Sequence, residues 1–376
     1  MQVVLFDDDE RIREICTLYW ELDGNDCFTW KVSELAKKFG ISSYEVTQTS
    51  ERFCEAQSEK ISCVICGIQY VFKSRADFKS RHQIDSWICD ACEITESESI
   101  ENKKRELLTE AYIEAKKNAY SIVGLDATMS IFLLALVRHS ATENLAYLNS
   151  YTDNNIELLA PNINYSIEVI RKLYRQNLIA IHPDSQLDAI ELKDEGGFSF
   201  SLDKVKWVLP ANHFESHPQQ LISALENKIE SMDLIDNYYD QVVDLSKEIS
   251  LQECLSYVDY VMSEHNFDFK PGEKTRIVLS KALDNFAVSQ IYNFIWRAGK
   301  DAAAYYQRSS VPKKQAANSL VGNIERQVEK AISNDWQVTK FRRNYDLPQS
   351  ILSRVLFNSL LKTDDGGFTT QLNKVL

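Results

Sequence analysis

A mainly α fold with small β elements is what the sequence predicts, and three observations carry that expectation. Apolar residues recur at helical spacing along most of the chain, whereas strict alternation is confined to short stretches. Only 11 Gly and 7 Pro in 376 residues leave few breaks between the periodic segments. Finally, 376 residues exceed what one ordinary core organises, so several domains are expected, a few short β pieces among them.

The chain opens on a strand-like Met-Gln-Val-Val-Leu-Phe, followed by Asp7-Asp8-Asp9-Glu10, which places negative charge where a helix N-terminus stabilises it. Ile12, Ile15, Cys16, Tyr19 and Trp20 then keep helical spacing. Three consecutive aspartates also suggest a metal or phosphoacceptor site, but the alternating strands and helices of a receiver fold do not follow, so helix charge is the preferred account.

In residues 29–53, Val32, Leu35, Ala36 and Phe39 form one helical face, Gly40-Ile41-Ser42 breaks it, and Val46 restarts a second. This stretch resembles a helix-turn-helix: Ala36 is small where helices cross, Gly40 permits a positive φ, and Val46 buries the second helix. The resemblance implies that Ser43, Tyr44, Thr47 and Gln48 face a major groove, with Lys37 and Lys38 near phosphate. Glu45 and Glu51 on the same helix oppose this, and a helical pair used for packing or protein contact is the alternative.

The most specific signal is Cys63-Val64-Ile65-Cys66 and Cys89-Asp90-Ala91-Cys92, two CxxC pairs separated by 22 residues. Each pair forms a knuckle with both sulfurs facing one point, so four thiolates can surround one tetrahedral ion. The pattern resembles a zinc ribbon, which implies one structural zinc ion with no open position for an activated water. Between the pairs, Ile68, Tyr70 and Phe72 alternate like a strand. Lys73, Arg75, Lys79 and Arg81 lie beside Tyr70, Phe72, Phe78 and Trp87, the mix used by a surface that tracks a phosphate backbone and stacks bases. Ribbons that only brace a neighbour carry such residues too.

Residues 93–122 read as a polar connecting helix. From Asp126 to Pro210 an apolar helix, a second helix ending near Asn177 and short strands around Gly196-Gly197 follow. The segment NYSIEVIRKLYRQNLIAI resembles the third helix and first wing strand of a winged-helix domain. That implies phosphate contact by Arg171, Lys172 and Arg175, although Asp184, Asp188, Glu191, Asp194 and Glu195 suit a protein-binding wing as well.

Pro210 and His217-Pro218 lead into a helical remainder, with helices expected near 218–232, 234–247, 251–265, 273–308, 313–334 and 348–362. Residues 271–376 carry net +7 and residues 1–270 net −20, within an overall −13. A basic third on an acidic remainder points to a polyanion partner for one part only. Lys313, Lys314, Lys340, Arg342 and Arg343 are its candidate contacts.

The longest apolar run, Met129 to Val137, is too short to span a bilayer, so no membrane partner and a cytoplasmic location are expected. Cys16, Cys27, Cys54 and Cys254 read as free core thiols of a reducing compartment. No Walker loop, GxGxxG, HExxH or GxSxG occurs, and no catalytic residue is assigned. The expected partition is a helix-turn-helix segment at 1–58, a zinc ribbon at 59–95, a connecting helix at 96–125, a winged-helix-like domain at 126–212 and a helical bundle at 213–376, basic from about 271. The implied activity is recruitment by a zinc-containing protein that binds nucleic acid, as duplex DNA. A scaffold docking a protein partner through its acidic middle, and a divergent nuclease, are the alternatives.

Overall fold

The computed structural model describes residues 1–84, 86–153, 157–210, 218–232 and 238–375. His217 and the expected helix start at 234 lie outside them. The chain divides into two compact units, 1–103 and 104–376.

In the first unit β1 (Gln2–Leu5) precedes α1 (Glu10–Trp20), α2 (Val32–Phe39) and α3 (Ser43–Phe53), after which β2 (Cys54–Ser62) and β3 (Gln69–Phe72) form a hairpin. The sheet is antiparallel in the order β1-β2-β3, with Val3 opposite Ala56 and Ala56 opposite Phe72. Asp9 accepts from the N–H groups of Arg11 and Ile12 at 2.9 and 3.0 Å, so the aspartate run caps α1 as charge at a helix start should. The short α4 (Arg75–Lys79) follows the hairpin, and α5 (Asp90–Lys117) begins at the second cysteine pair. Ile15, Leu35, Val46, Ala56, Phe72 and Phe78 belong to one core. The helical pair and the hairpin thus share buried surface across residue 58, where the sequence suggested a boundary.

The second unit holds α6 (Ala127–Ser140), α7 (Ile163–Arg175), the strands β4 (Ala180–Ile181), β5 (Ile190–Leu192), β6 (Phe198–Phe200) and β7 (Trp207–Val208), then α8 (Pro218–Glu230) and α9 (Tyr239–Glu264). β4 pairs with β7 and β5 with β6, with Gly196 and Gly197 at positive φ in the turn between β5 and β6. Next come α10 (Glu273–Leu283), α11 (Val288–Arg308), α12 (Lys313–Ser333) and α13 (Ile351–Ser353), which runs on as a π-helical stretch, Arg354–Leu360, before α14 (Leu372–Val375).

Two expectations about helix ends fail for local reasons. No glycine or proline interrupts 247–251, and α9 runs through both expected helices. Conversely 273–308 breaks after Leu283, where Phe286 turns into the core and the Gln290 side chain accepts the Ala287 N–H at 3.0 Å to start α11.

α6 is apolar all round and buried at the centre of a core that takes in α7, α8, the first half of α9, residues 351–361 and Leu372. The N–H groups of Ile351 and Leu352 donate to the carbonyls of Leu158 and Leu159, at 3.0 and 2.9 Å. The chain's end therefore completes the core of its middle, across the expected boundary at 212. A second core joins the rest of α9 with α10, α11 and α12. Among the described residues, no helix is long and apolar enough to cross a membrane.

Candidate metal centre

Cys63 immediately follows β2 and Cys66 closes the hairpin turn, in which the Gly67 N–H donates to the Cys63 carbonyl at 2.9 Å. Gly67 sits at φ +76°, a left-handed backbone that costs glycine nothing. The second pair is built differently. Cys89 immediately precedes α5 and Cys92 lies in its first turn, three residues on, so both face one side of the helix start. The Val64 N–H donates to the Trp87 carbonyl at 3.0 Å and holds the two chain segments together.

The four Sγ atoms lie within 4.8 Å of one another. Cys66 and Cys89 Sγ are 3.6 Å apart, and the Cys89 N–H donates to Cys63 Sγ at 3.4 Å. Cys63 is buried, Cys66 exposed, and Cys89 and Cys92 half-buried. The N–H groups of Cys66 and Cys89 hold the Cys63 thiol down to about 6. Hydrogen bonding to the Cys66 and Cys89 sulfurs, with burial, pushes Cys92 up to about 12. Crowding four thiols lets one ionise at the expense of another, and a cation among them reverses that balance. The cluster can hold a metal ion.

The cations between the pairs separate into two kinds. Lys73 and Lys79 are exposed. Arg75 instead turns inward: its guanidinium donates to the carbonyls of Trp30, at 2.7 Å, and of Tyr19, and lies 4.2 and 4.4 Å from the Tyr19 and Phe28 ring centroids. It ties the end of α1 to the approach to α2. Arg81 pairs with Asp26 at 3.0 Å, donates to the Phe78 carbonyl and covers the Phe78 ring. Nor do the aromatic residues form an open stacking face. Tyr70 meets Trp87 and Phe72 edge to face, and Phe72 meets Phe78. Their faces cover one another because the small core needs their area.

The tip around the thiols is apolar, which sequence spacing did not single out. Val64, Ile65, Ile68 and Ile94 are 64, 56, 58 and 59% exposed.

On α3, Ser43, Tyr44 and Gln48 are exposed and Thr47 is half-buried, while Val46 and Ser50 point into the core. Gly40 takes φ +65° as the turn requires. The Glu45 carboxylate accepts the Ser42 N–H at 2.7 Å, so this acid closes a capping box at the helix start. Gln48 donates to Glu51 at 2.8 Å, and Lys38 is paired with Glu14 at 2.8 Å.

In the second unit Lys313, Lys314, Lys340 and Arg342 are exposed, as is Tyr345 at 96%. Arg343 is not: it pairs at 3.2 Å with Glu253, itself buried, and lies 4.3 Å from the Phe368 ring centroid. Burial pushes the Glu253 carboxyl up, against the pull of Arg343 and of the Ser353 hydroxyl. Of the other cysteines, Cys16, Cys54 and Cys254 are buried. Cys27, expected in the core, is exposed because it follows the Asp23 turn, whose carboxylate accepts the Cys27 N–H at 2.9 Å.

Compared with protein-family models, curated proteins and solved structures, the chain matches none.

Proposed function

We propose that the chain is a zinc-containing, multidomain DNA-binding protein that acts by recruitment. The observation that carries the reading is the closed tetrathiol cluster at the end of the β2–β3 hairpin, in the unit whose core also buries α3. A tetrahedron with metal–sulfur bonds of about 2.3 Å has edges of about 3.8 Å, close to the 3.6 Å between Cys66 and Cys89 Sγ. Zinc suits four thiolates with no redox chemistry and no open position, and its role is to hold structure.

Fixing the cluster fixes the hairpin, and through their shared core the hairpin fixes the pitch of α3. Ser43, Tyr44 and Gln48 are then the side chains α3 offers to base edges, with Thr47 at their margin. Lys73 and Lys79 on this unit, and Lys313, Lys314, Lys340 and Arg342 on the other, supply phosphate contacts. Several weak contacts linked in one chain raise effective concentration, which lets such a protein hold duplex without a single large interface.

Cys89→Ser should lose the ion and loosen residues 60–95, read by elemental analysis and limited proteolysis. Full metal content in that variant would remove the four-thiolate assignment. Tyr44→Ala with Gln48→Ala should weaken duplex binding by roughly tenfold while metal content stays whole. Unchanged affinity would take α3 out of the interface.

A second reading is favoured by one observation, the exposed Val64, Ile65, Ile68 and Ile94 at the thiol tip. An apolar rim of that kind suits a protein partner better than phosphate, and makes the chain an interaction subunit. Binding to random duplex that weakens steeply with salt separates the first reading from this one.

A further inference from the structure

Between the start of α10 and the middle of α12 lies an open groove of about 650 Å³, within the range of about 300–1,000 Å³ that small-ligand sites occupy. Lys270, Lys274 and Arg326 line it, with Glu325 as the opposing charge. Lys274 reaches Glu325 at 3.3 Å, but both side chains remain substantially exposed, at 69 and 38%. Among the described residues Lys270 is left without a carboxylate, and Arg326 lies along its own helix, donating from Nε to the Gly322 carbonyl at 3.2 Å and from its guanidinium to Asn323 Oδ1.

Two further features of the groove are unexplained by the fold itself. Thr275, also in its lining, is only 2% exposed, and among the described residues its hydroxyl has no hydrogen-bond partner. The hydroxyl is not sealed away from solvent, so at the groove it is free to meet a ligand oxygen. It stands in the first turn of α10, whose N-cap is Gly272 and whose leading N–H groups receive no side-chain cap. Uncapped amides at a helix start favour an anion.

The second feature is Gly322, inside α12 and in the groove lining. Glycine in a helix interior is unfavourable relative to alanine, and close approach by another group is its usual excuse. Here a Cβ would meet nothing within 4 Å, so no neighbour in the fold requires its absence. The space it leaves opens onto the groove. Phe269, half-buried at the same site, offers an apolar face.

We propose that this groove binds a phosphate group carried by a nucleotide or by a nucleic-acid strand. The phosphate would be held by Lys270, Lys274, Arg326, the Thr275 hydroxyl and the start of α10, with Gly322 admitting the ligand to the α12 backbone. The strand form of the proposal rests on the DNA-binding reading above. The phosphate site itself stands on different residues, none of them assigned from sequence.

The test uses the full chain and two probes, a fluorescently labelled oligothymidylate and inorganic pyrophosphate. Lys274→Gln with Arg326→Gln should weaken binding about tenfold and lower the salt slope for the oligonucleotide by about one to two. Gly322→Ala should also weaken binding, while raising Tm by about 2 °C through its helix preference. Loss for the oligonucleotide places a strand phosphate in the groove; loss for pyrophosphate alone places a free nucleotide there. A Gly322→Ala protein that is more stable yet binds both probes as before overturns the proposal, as does failure of both probes to bind at low salt. Duplex binding that survives all three substitutions sinks the groove and leaves the DNA-binding reading standing. Pyrophosphate binding that the substitutions abolish, in a chain that holds no nucleic acid, does the reverse.

Discussion

Residues 73–81 of the first unit and residues 340–343 of the second are both short, cation-rich stretches beside aromatic side chains, yet they use their charges differently. In the first, both arginines are braces. Arg75 joins two backbone carbonyls and Arg81 joins Asp26 to the Phe78 carbonyl. In the second, only Arg343 goes inward, to a carboxylate in the core, and its neighbours Lys340 and Arg342 stay in solvent. The guanidinium explains the division, since a planar fork of five donors satisfies carbonyls and carboxylates at once and stacks on rings. Lysines, with one strongly hydrated point charge, remain outside in both regions. A count of cations therefore overstates a binding surface wherever arginine has inward work to do.

The sharpest test of that contrast is Arg343→Met, which strands the Glu253 carboxyl in the core. A loss of about 3–5 kcal/mol near neutral pH is expected, the range for breaking a buried pair by removing one partner. The carboxyl would then fold protonated, with its pKa raised further above its unfolded value. A raised carboxyl favours the native state below the unfolded value and loses that advantage as pH rises toward the folded one. The deficit should accordingly shrink on acidification toward pH 4.5, the carboxyl's ordinary value. Denaturant unfolding across pH checks this, and adding Glu253→Gln should recover part of the loss. A deficit independent of pH would mean that Arg343 contributes packing and not charge.

Arg75→Met comes next, at about 2–3 kcal/mol, for two lost bonds from a charged donor and the carbonyls they leave. A loss confined to a few tenths would show that the Tyr19 and Trp30 carbonyls find water instead. Smallest in stability are Lys79→Gln and Lys340→Gln, each expected within about 0.5 kcal/mol of the parent. Their effect belongs in binding, where each should lower the salt slope for duplex by about one. If only Lys340→Gln changes the slope, the phosphate surface lies on the second unit alone; if neither does, these lysines are ordinary solvated charge.

Much of the candidate site was legible because its signals are local. The CxxC spacing and the need for Gly67 after the first knuckle follow from short-range geometry, and four sulfurs do converge. Gly40, Ala36 and Val46 likewise mark a turn between two helices by sterics that act over a few residues. Which of the basic and aromatic residues beside the ribbon face outward was not legible, because direction is not local. Tyr70, Phe72, Phe78 and Trp87 bury their faces in one another, and no periodicity distinguishes a ring that stacks inward from one that waits for a base.

By itself the sequence determined that the chain is mainly helical, that a turn falls at Gly40, which cysteines gather, and that charge is unevenly divided, since each of these rests on contacts between near neighbours or on simple addition. Only the tertiary structure decided that the helical pair and the hairpin share a core, that residues 351–361 return to complete the middle of the chain, and that Arg75, Arg81 and Arg343 serve the interior. Those outcomes depend on which apolar surfaces meet across long stretches of chain, and burial is a property of the folded whole that no single segment carries.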